Sequence, residues 1–305
     1  MTKILAIQGS NLKKVNIKTD TTILLAAEAQ KRGYKIYYYE PENLSFLNGK
    51  VIASCKHIKI HDNKKKFYST IKTIIFNLEK SKFILIRNDP PFDNRYLYTT
   101  FLLNHIFKKV KIINHPFAVR NVSEKLFSIN FMKYMPPTLI SENLNEIRSF
   151  FKKHKAIVAK PINGFSGNNV ILFKSFKANK IKRLLKIHNH LFFQKFLPGV
   201  SKGDKRVFII KGEIVGAISR VPKKGSILSN MSKGAHAKLT KLTKKEIKAS
   251  KDIGKLLVKN NIHFAGIDFV QEKLIGDINV TSPTGMAAYK ELSGINLAKS
   301  FWNSI

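Results

Sequence analysis

The composition and the charge of this chain exclude several classes of protein. It has 305 residues, of which 44% are hydrophobic and 24% are charged, a balance typical of globular proteins and unlike that of disordered or fibrous ones. Its longest apolar runs, such as residues 83–86, are far shorter than a membrane span, and the apolar stretch after Met1 is too short for a signal peptide. The single cysteine, Cys55, excludes an internal disulfide. We therefore expect a cytoplasmic protein with no membrane partner.

The strongest compositional bias is toward lysine. Lys and Arg number 55 against 19 Asp and Glu, which gives a formal net charge of +36, and only eight of the 55 are arginine. Nucleic-acid-binding modules usually concentrate basic residues on one face and use arginine forks, whereas these lysines are scattered along the chain. We therefore expect a solvated basic surface and no specific nucleic-acid partner, with polyanion binding as the alternative.

The first third of the chain alternates predicted strands and helices. Asp20 is a typical N-cap for a helix that ends near Gly33, and the pair Asn48-Gly49 favours the tight turn of a hairpin. This alternation predicts an α/β layer of about 115 residues. The predicted strands cover residues 3–8, 35–39, 83–87 and 111–114, and a second helix covers residues 96–107.

The rest of the chain predicts a small α+β lobe followed by a larger β-rich lobe. Residues 121–124 (NVSE) match a helix-capping box just before Lys125, and Pro136 would end that helix. Thr243 and Glu246 match a second capping box. The other predicted elements are a helix over residues 142–154, strands over 157–161, 170–174 and 191–196, hairpins over 206–221 (turning at 211–212) and 264–280, and a last helix near 294–301.

Two acids and an amide near the C-terminus form the strongest candidate site. Asp277 and Asn279 are two residues apart on a predicted strand, so both side chains project from one face, and Asp268 on the neighbouring strand can face the same point. Carboxylate and amide oxygens are ligands that Mg²⁺ prefers. Acids are scarce in this chain, so the pattern predicts a magnesium site. The alternative is a pair of strand-end acids salt-bridged to lysine.

Two further patterns indicate anion binding. Lys160 precedes a loop rich in glycine and asparagine, residues 162–169, whose backbone N–H groups can contact phosphate oxygens. An ordinary glycine hairpin is the alternative. Arg206 opens a predicted hairpin and Arg220 lies near the end of its second strand, so the hairpin brings together two forked donors for an anion. An edge strand whose charges serve solubility is the alternative there.

Six short motifs lie along the chain: NIKTDT at 16–21, RNDPPFD at 87–93, EKLF at 124–127, KP at 160–161, GDKRV at 203–207 and DINVTSPT at 277–284. In this order they resemble the bacterial glutathione synthetase family, and the resemblance covers residues 3–300. It implies an ATP-grasp fold, in which a nucleotide lies between two β-rich lobes, after an N-terminal α/β domain. The implied domains are residues 1–120 for substrate binding, 121–196 as a small lid domain, and 197–305 as a β-rich domain with the metal site.

The resemblance also implies a role for each candidate residue. ATP is the implied co-substrate, and Mg²⁺ is the implied cofactor, with Mn²⁺ as an alternative. Arg206 and Arg220 would neutralise the transferred phosphoryl group. The implied nucleotide contacts are Lys125, Lys160, Gly164, Ser166, Gly167, Gln194, Phe196, Leu197 and Asp204; the metal ligands are Asp268, Asp277 and Asn279; the substrate contacts are Thr21, Arg87, Asp89, Asn230, Ser282 and Thr284.

The reaction that the resemblance implies joins γ-glutamylcysteine to glycine through an acyl phosphate, in a homo-oligomer, specifically a tetramer. Leu228, His236 and Ala287 depart from the family, which commonly has arginine there, and Asp277 stands where Glu is usual. These departures leave open an ATP-grasp ligase with a different amino-acid acceptor. A non-catalytic polyanion-binding protein on the same scaffold is a third hypothesis, which the intact acids and lysines argue against.

Overall fold

The computed structural model describes residues 3–63, 66–165 and 167–305. Within these ranges the chain forms three β-sheets and eight α-helices. None of these helices combines the length and the apolar character that a membrane crossing requires. The helices are α1 (Thr21–Lys31), α2 (Asn94–Asn104), α3 (Pro116–Asn121), α4 (Leu144–His154), α5 (Ala178–His188), α6 (Lys244–Lys259), α7 (Met286–Ser293) and α8 (Leu297–Asn303).

The N-terminal sheet has seven strands: β1 (Ile4–Gly9), β2 (Lys35–Tyr39), β3 (Leu44–Leu47), β4 (Lys50–Ile60), β5 (Tyr68–Asn77), β6 (Phe83–Arg87) and β7 (Lys111–Ile113). Strands β2, β1, β6 and β7 are parallel neighbours, and β3, β4 and β5 extend the sheet antiparallel beyond β2. Leu5 and Ile7 pack in one core with α1, whereas Ala6 packs in a second core with α2. Helices therefore cover both faces of β1, as a parallel sheet requires.

Local sequence signals account for the start of the first helix and the first hairpin. Asp20 accepts a hydrogen bond from Ile23 N at 2.7 Å and caps α1, which confirms the predicted cap. Asn48 and Gly49 adopt φ angles of 46° and 81° in the turn between β3 and β4. These left-handed angles are what a two-residue hairpin turn needs, and Asn and Gly adopt them at little cost.

The capping box predicted at residues 121–124 is wrong. Pro116 occupies the first turn of α3, a position that proline favours, so a helix begins before the predicted box and ends at Asn121. Lys125 instead precedes a 3₁₀ segment, Leu126–Tyr134, that has no side-chain cap. The lysine is thus placed by tertiary contacts and not by a helix cap of its own.

Two antiparallel sheets follow. The middle sheet has the order β10-β9-β11-β8, and the C-terminal sheet has the order β14-β13-β12-β15-β16. The predicted turn at Lys211 and Gly212 is confirmed, with φ angles of 49° and 84°, and Thr243 and Glu246 form the predicted capping box of α6. The strands are β8 (Thr138–Ser141), β9 (Ile157–Pro161), β10 (Ile171–Phe173), β11 (Leu191–Lys195), β12 (Asp204–Ile210), β13 (Glu213–Val221), β14 (His236–Leu239), β15 (Phe264–Val270) and β16 (Lys273–Asn279).

One apolar core joins the N-terminal and C-terminal sheets. It contains Leu5 of β1, Phe208 of β12, and Phe301 and Trp302 of α8. Because these side chains bury a shared apolar surface, the two sheets are held against each other. The single cysteine, Cys55 of β4, lies fully buried in the separate core of the N-terminal sheet, and burial raises its pKa to about 12.

Candidate active site

The middle and C-terminal sheets, together with segments that follow strands β1 and β6, line one cavity of about 480 Å³, a volume within the usual range of small-molecule sites. Ser166 lies outside the described residues. Thr21 and Arg87 are described but do not reach the cavity wall. The other predicted site residues line it together: Lys125, Lys160, Gly164, Gly167, Gln194, Phe196, Leu197, Asp204, Arg206, Arg220, Asp268, Asp277, Asn279, Asp89, Asn230, Ser282 and Thr284.

Arg206 and Arg220 meet at one carboxylate inside the cavity. The sheet registers place Arg206 opposite Asp268, and Arg220 opposite Asp204. Arg206 donates to both oxygens of Asp268, at 2.8 and 2.7 Å, and Arg220 Nη2 donates to Oδ2 of the same carboxylate at 2.7 Å. Burial by itself raises the pKa of Asp268, but the two guanidinium groups outweigh it and lower that pKa to about 2. Asp268 is therefore ionised at neutral pH and orients both arginines.

Two lysines from the middle of the chain approach Asp277 of β16. Lys125 Nζ lies 3.4 Å from Oδ1, and Lys160 Nζ lies 3.5 Å from Oδ2. Lys125 also donates to Gly164 O at 2.6 Å, and Lys160 donates to Ile275 O at 2.7 Å. Burial by itself raises the pKa of Asp277, but Lys160 and Lys125 outweigh it and lower that pKa. The salt-bridged arrangement considered as an alternative for Asp277 is present, and its partners are the two lysines predicted to bind phosphate.

Asp268, Asp277 and Asn279 form an oxygen donor set on the neighbouring strands β15 and β16, and all three line the cavity. Within the described ranges no group of three or more His, Cys, Asp and Glu side chains is placed to hold a metal ion. The candidate set is therefore a mixed one of two carboxylates and an amide. The Oδ1 atom of Asn279 accepts a long hydrogen bond of 3.4 Å from Thr281 Oγ1, which leaves it acceptor capacity. Hard oxygen donors of this kind fit Mg²⁺.

The end of β11, an inner strand of the middle sheet, and the residues after it form an apolar slot in the cavity. Gln194 of β11 is buried and donates from Nε2 to Thr138 Oγ1 at 3.1 Å. Phe196 and Leu197 follow β11 and line the cavity, and Phe196 N donates to Ala156 O at 3.0 Å. An apolar slot with a few polar groups at its edge is the usual setting for a planar heteroaromatic ligand.

The opposite wall comes from the segments that follow β1 and β6. Asp89 accepts hydrogen bonds from Ser10 Oγ at 2.9 Å and from Ser282 Oγ at 3.0 Å. Asp20 also lines the cavity, and burial raises its pKa to about 6 although Ile23 N donates to it. This wall thus presents two carboxyl groups that are held by hydroxyl and backbone donors.

Comparison with known proteins identifies the family. Residues 4–120 match the family model described as prokaryotic glutathione synthetase, N-terminal domain, and residues 124–294 match that of the prokaryotic glutathione synthetase ATP-grasp domain. The chain belongs to the prokaryotic glutathione synthetase family. It is 37% identical over 305 residues to the glutathione synthetase of Bradyrhizobium diazoefficiens, across 98% of this chain and 96% of that protein. It is 32% identical over 279 residues to that of Escherichia coli O157:H7, across 90% and 88%.

Solved structures show the same fold. D-cycloserine synthetase DcsG superposes with a TM-score of 0.70 at 14% identity, covering 99% of this chain and 98% of that one. D-alanyl-alanine synthetase A from Vibrio cholerae superposes with a TM-score of 0.62 at 13% identity, covering 100% and 98%. Together with the two family matches, these structures confirm the predicted ATP-grasp fold with an N-terminal α/β domain.

Two residues that the family resemblance assigned to the substrate lie behind the cavity wall. Thr21 is fully buried, and its Oγ1 accepts a hydrogen bond from Met286 N at 3.3 Å. Arg87 is 5% exposed and donates to Thr22 Oγ1 at 3.2 Å and to Pro283 O at 2.9 Å. Thr21 of α1 and Arg87 of β6 therefore join the N-terminal domain to the segment that follows β16.

The loop after β9 and the loop after β13 meet at the cavity. Gly167 has a φ of +72°, and a Cβ at this position would lie 2.6 Å from Asn230 Oδ1 and 3.1 Å from Leu228 Cδ2. This close approach, together with the left-handed backbone, explains why glycine is needed there. The loop after β9 and the loop after β13 thus contact each other directly.

The three positions that depart from the arginines of glutathione synthetases are dispersed. Leu228 lines the cavity. His236 begins β14 at an exposed position, and Ala287 lies in the first turn of α7; neither reaches the wall. Of these three positions, Leu228 is therefore the one that lies at the cavity.

Four ionisable cavity residues were not singled out by the sequence. Asp20 was assigned only a capping role, although it belongs to the NIKTDT motif. Glu124 belongs to the EKLF motif, and burial raises its pKa to about 7 even though Lys125 opposes this. Lys14 and Lys195 line the cavity from exposed positions, and nothing in the sequence distinguishes them from the other lysines.

Proposed function

We propose that this chain is an ATP-dependent ligase that joins γ-glutamylcysteine to glycine and so forms glutathione. The observation that supports this most directly is one cavity in which buried cations surround an oxygen donor set, opposite a wall with two carboxyl groups. Relatives of nearly the same length are named glutathione synthetase. The cations are Lys125, Lys160, Arg206 and Arg220.

The proposed domains are residues 1–120, 121–196 and 197–305. The nucleotide is proposed to lie between the middle and C-terminal sheets. Lys125 and Lys160 are placed to bind phosphates, because both ammonium groups are fixed at the cavity. Asp204 is the proposed ribose contact and keeps lone pairs free beyond its bond to Arg220. Gln194, Phe196 and Leu197 form the proposed adenine slot, and Gly164, Ser166 and Gly167 belong to the covering loop.

Asp268, Asp277 and Asn279 are the residues that would hold Mg²⁺, or Mn²⁺ as the alternative. When bound, such an ion supplies positive charge to the phosphate oxygens. Asp268 is suited to this because the arginines keep its carboxylate ionised at neutral pH and fixed in orientation. Asp277 is shorter than the Glu usual in the family but lies directly beside both lysines.

The chemistry follows from the weakness of a carboxylate as an electrophile. The dipeptide carboxylate attacks the γ-phosphorus of ATP, so that an acyl phosphate forms and ADP leaves. The amine of glycine then attacks the acyl carbon, gives up a proton, and inorganic phosphate leaves. Phosphoryl transfer requires positioning and charge neutralisation more than a nucleophilic side chain. Arg206 and Arg220 are the proposed groups that neutralise the phosphoryl group in transfer.

An acyl phosphate hydrolyses in water, so the site needs a cover. The loops at residues 164–169 and 222–238 are the proposed lids. The close approach of Gly167 to Asn230 and Leu228 supports this, because it brings the two loops together above the cavity.

The dipeptide is proposed to bind at the N-terminal wall. Asp89, Asn230, Ser282 and Thr284 line this part of the cavity, and Asp20 adds a second carboxyl group. Paired carboxylates suit the α-ammonium group of a γ-glutamyl residue, since a charge-assisted hydrogen bond is stronger than a neutral one. Thr21 and Arg87 would act from behind by holding this wall in place.

A second candidate is an ATP-grasp ligase that uses a different amino acid as acceptor. The observation that favours it is the apolar Leu228 on the wall, together with His236 and Ala287 away from it, where the family usually has arginine. Release of ADP with γ-glutamylcysteine and a series of amino acids tests both. Turnover with glycine supports glutathione synthesis; turnover with another amino acid but not with glycine supports the second candidate.

We further propose a cytoplasmic homo-oligomer, a tetramer by family resemblance, with no specific nucleic-acid partner. The lysines are scattered along the chain, which is more typical of a solvated surface than of a single nucleic-acid-binding face. Light scattering of the purified protein measures its molar mass in solution and so tests the oligomeric state. Salt-dependent DNA binding without any ATP turnover would instead support the polyanion-binding hypothesis.

A further inference from the structure

The segment after β16 is hydrogen-bonded to the N-terminal domain at five of its seven residues. We call residues 280–286 the junction segment. It directly follows the proposed metal ligand Asn279 and carries two proposed substrate contacts, Ser282 and Thr284. Its N-terminal partners, in chain order, are Asn114 for Val280, Asp89 for Ser282, Arg87 for Pro283, Thr19 for Gly285 and Thr21 for Met286.

Asn114 makes the densest set of contacts in this series. It follows β7 and is 4% exposed. Its Nδ2 donates to Phe264 O at 2.8 Å and to Val280 O at 2.7 Å, and its Oδ1 accepts from His263 N and Phe264 N, both at 2.9 Å. One side chain from the N-terminal sheet thus bonds to the start of β15 and to the end of β16.

Only an amide side chain can supply this pattern. An amide has two N–H donors and an oxygen with two lone pairs, and all four are used by the backbone of the C-terminal sheet. A carboxylate would set negative oxygens against two carbonyl oxygens, and an apolar side chain would leave four buried backbone groups without this partner. The position therefore tolerates no simple substitute.

Arg87 supports the same junction from the neighbouring strand. It is buried, donates to Pro283 O at 2.9 Å, and has its guanidinium carbon 5.6 Å from the ring centroid of Phe264. Asn114 and Arg87 thus both contact the first residue of β15 and the junction segment. Two side chains that do not line the cavity therefore fix the position of the proposed peptide wall relative to the strands that carry the proposed metal ligands.

We infer that Asn114 is a positioning residue for ligation, which sets the peptide wall against the strands that carry Asp268 and Asn279. The inference rests on the proposed function. Loss of the amide allows the peptide carboxylate to shift relative to the phosphate donor, and a shift of about 1 Å can cost roughly 100-fold in rate. The adenine slot belongs to the middle sheet and has no bond to Asn114, so nucleotide affinity should change little.

The test compares Asn114→Ala and Asn114→Asp with Asn260→Ala in the full-length enzyme. Asn260 is a matched control, because its Nδ2 also donates to a backbone carbonyl, Leu256 O, but within α6. We expect kcat/KM for γ-glutamylcysteine to fall roughly 10- to 100-fold in Asn114→Ala, with KM for ATP changing less than about threefold. Asn114→Asp should be the worse variant, because it removes both donors and sets a negative oxygen against two carbonyl oxygens. Assays run well below each melting temperature.

Hydrogen–deuterium exchange of the metal-free protein provides a second measurement. The amides of His263 and Phe264 should exchange faster in both Asn114 variants and remain as in wild type in Asn260→Ala. If the melting temperature falls but kcat/KM for the dipeptide matches that of Asn260→Ala, Asn114 is only structural and the inference is wrong. If wild-type enzyme turns over no amino acid acceptor at all, the proposed function fails, and the inference fails with it.

Discussion

The two walls of the cavity differ in the charge of the side chains that line them. On the side of the C-terminal and middle sheets, Asp268 is paired with Arg206 and Arg220, and Asp277 is paired with two lysines. On the N-terminal side, Asp89 is held by two serine hydroxyls. The cationic side suits an anionic phosphate chain. The acidic side, in a protein of net charge +36, suits a substrate ammonium group.

The comparison also separates two ways of fixing a side chain. In the cationic half, cross-strand pairs orient Arg206 and Arg220, so antiparallel register is enough to build this arginine cluster. In the N-terminal half, the groups depend on contacts between residues far apart in the sequence, such as Ser282 with Asp89, which are 193 positions apart. The arginine cluster is thus a property of one sheet, whereas the N-terminal half depends on how distant parts of the chain dock.

The largest effect should follow from removing the shared carboxylate of the cationic half. Asp268→Ala leaves two buried guanidinium groups without this partner, so the free energy of unfolding should fall by about 3–5 kcal/mol, measured by urea denaturation. Because the pKa of Asp268 lies below its ordinary value of 3.8, the contribution is present above pH 3.8 and is lost as pH falls toward about 2.

Asp252→Ala serves as the control for that variant. Asp252 pairs with Lys133 at the surface, at 3.1 Å, where an ion pair is screened by solvent. A loss of stability in Asp252→Ala equal to that in Asp268→Ala would contradict the account of a buried, mutually orienting cluster.

A smaller but still large effect is expected for one of the phosphate-binding cations. Lys160→Ala removes an ammonium group fixed at the cavity by Ile275 O and Asp277. The activation barrier should rise by about 2–4 kcal/mol, as for loss of one preorganised donor, measured as kcat for ADP release. Lys152→Ala, at an exposed position in the last turn of α4, should retain wild-type kcat. Equal rates in both variants would remove Lys160 from the mechanism.

The acidic half predicts a pH dependence. Burial raises the pKa of Asp20 to about 6, so its carboxyl becomes neutral as pH falls through 6, and KM for the dipeptide should rise there. Asp20→Asn keeps the cap of α1, because Asn is also a favoured N-cap, but loses the charge. We expect its KM to be roughly tenfold higher at pH 8, as for loss of a charged hydrogen bond, and insensitive to pH near 6. A KM profile identical to wild type would exclude Asp20 from ammonium binding.

The smallest effect should come from a neutral partner on the same wall. Ser10→Ala removes one of the two hydroxyl donors to Asp89, a contribution of about 1 kcal/mol, so KM for the dipeptide should rise several-fold with kcat almost unchanged. Ser201→Ala, whose hydroxyl donates to Pro198 O in a surface turn, provides the baseline. If Ser10→Ala lowers kcat as severely as Lys160→Ala does, the two halves are not electrostatically distinct in the way described here.

The sequence predicted best those features that depend on neighbours along the chain. Asn48-Gly49 and Lys211-Gly212 form the expected turns, and Thr243 with Glu246 forms the expected cap, because each depends on a few adjacent residues. Strand alternation predicts that Asp277 and Asn279 share a face, and the neighbouring strand adds Asp268; all three line the cavity.

Other features escaped prediction for physical reasons. Helix α5 was missed, although Ile181, Leu184 and Leu185 follow helical spacing and pack on the middle sheet; its many lysines hid the pattern. The placement of Arg87 behind the wall depends on Pro283, which is 196 positions away. A local sequence pattern does not show whether such a buried arginine points into the cavity or lies behind its wall.

The burial of Cys55 has a consequence for an enzyme whose proposed substrate carries a thiol. Exchange between a thiol and a disulfide requires an accessible thiolate, and the chain's single sulfhydryl is sealed in an apolar core with a pKa of about 12. Oxidised dipeptide therefore has no sulfur on the folded enzyme with which to form a mixed disulfide. The catalyst can handle a redox-active product without itself becoming part of the redox pool.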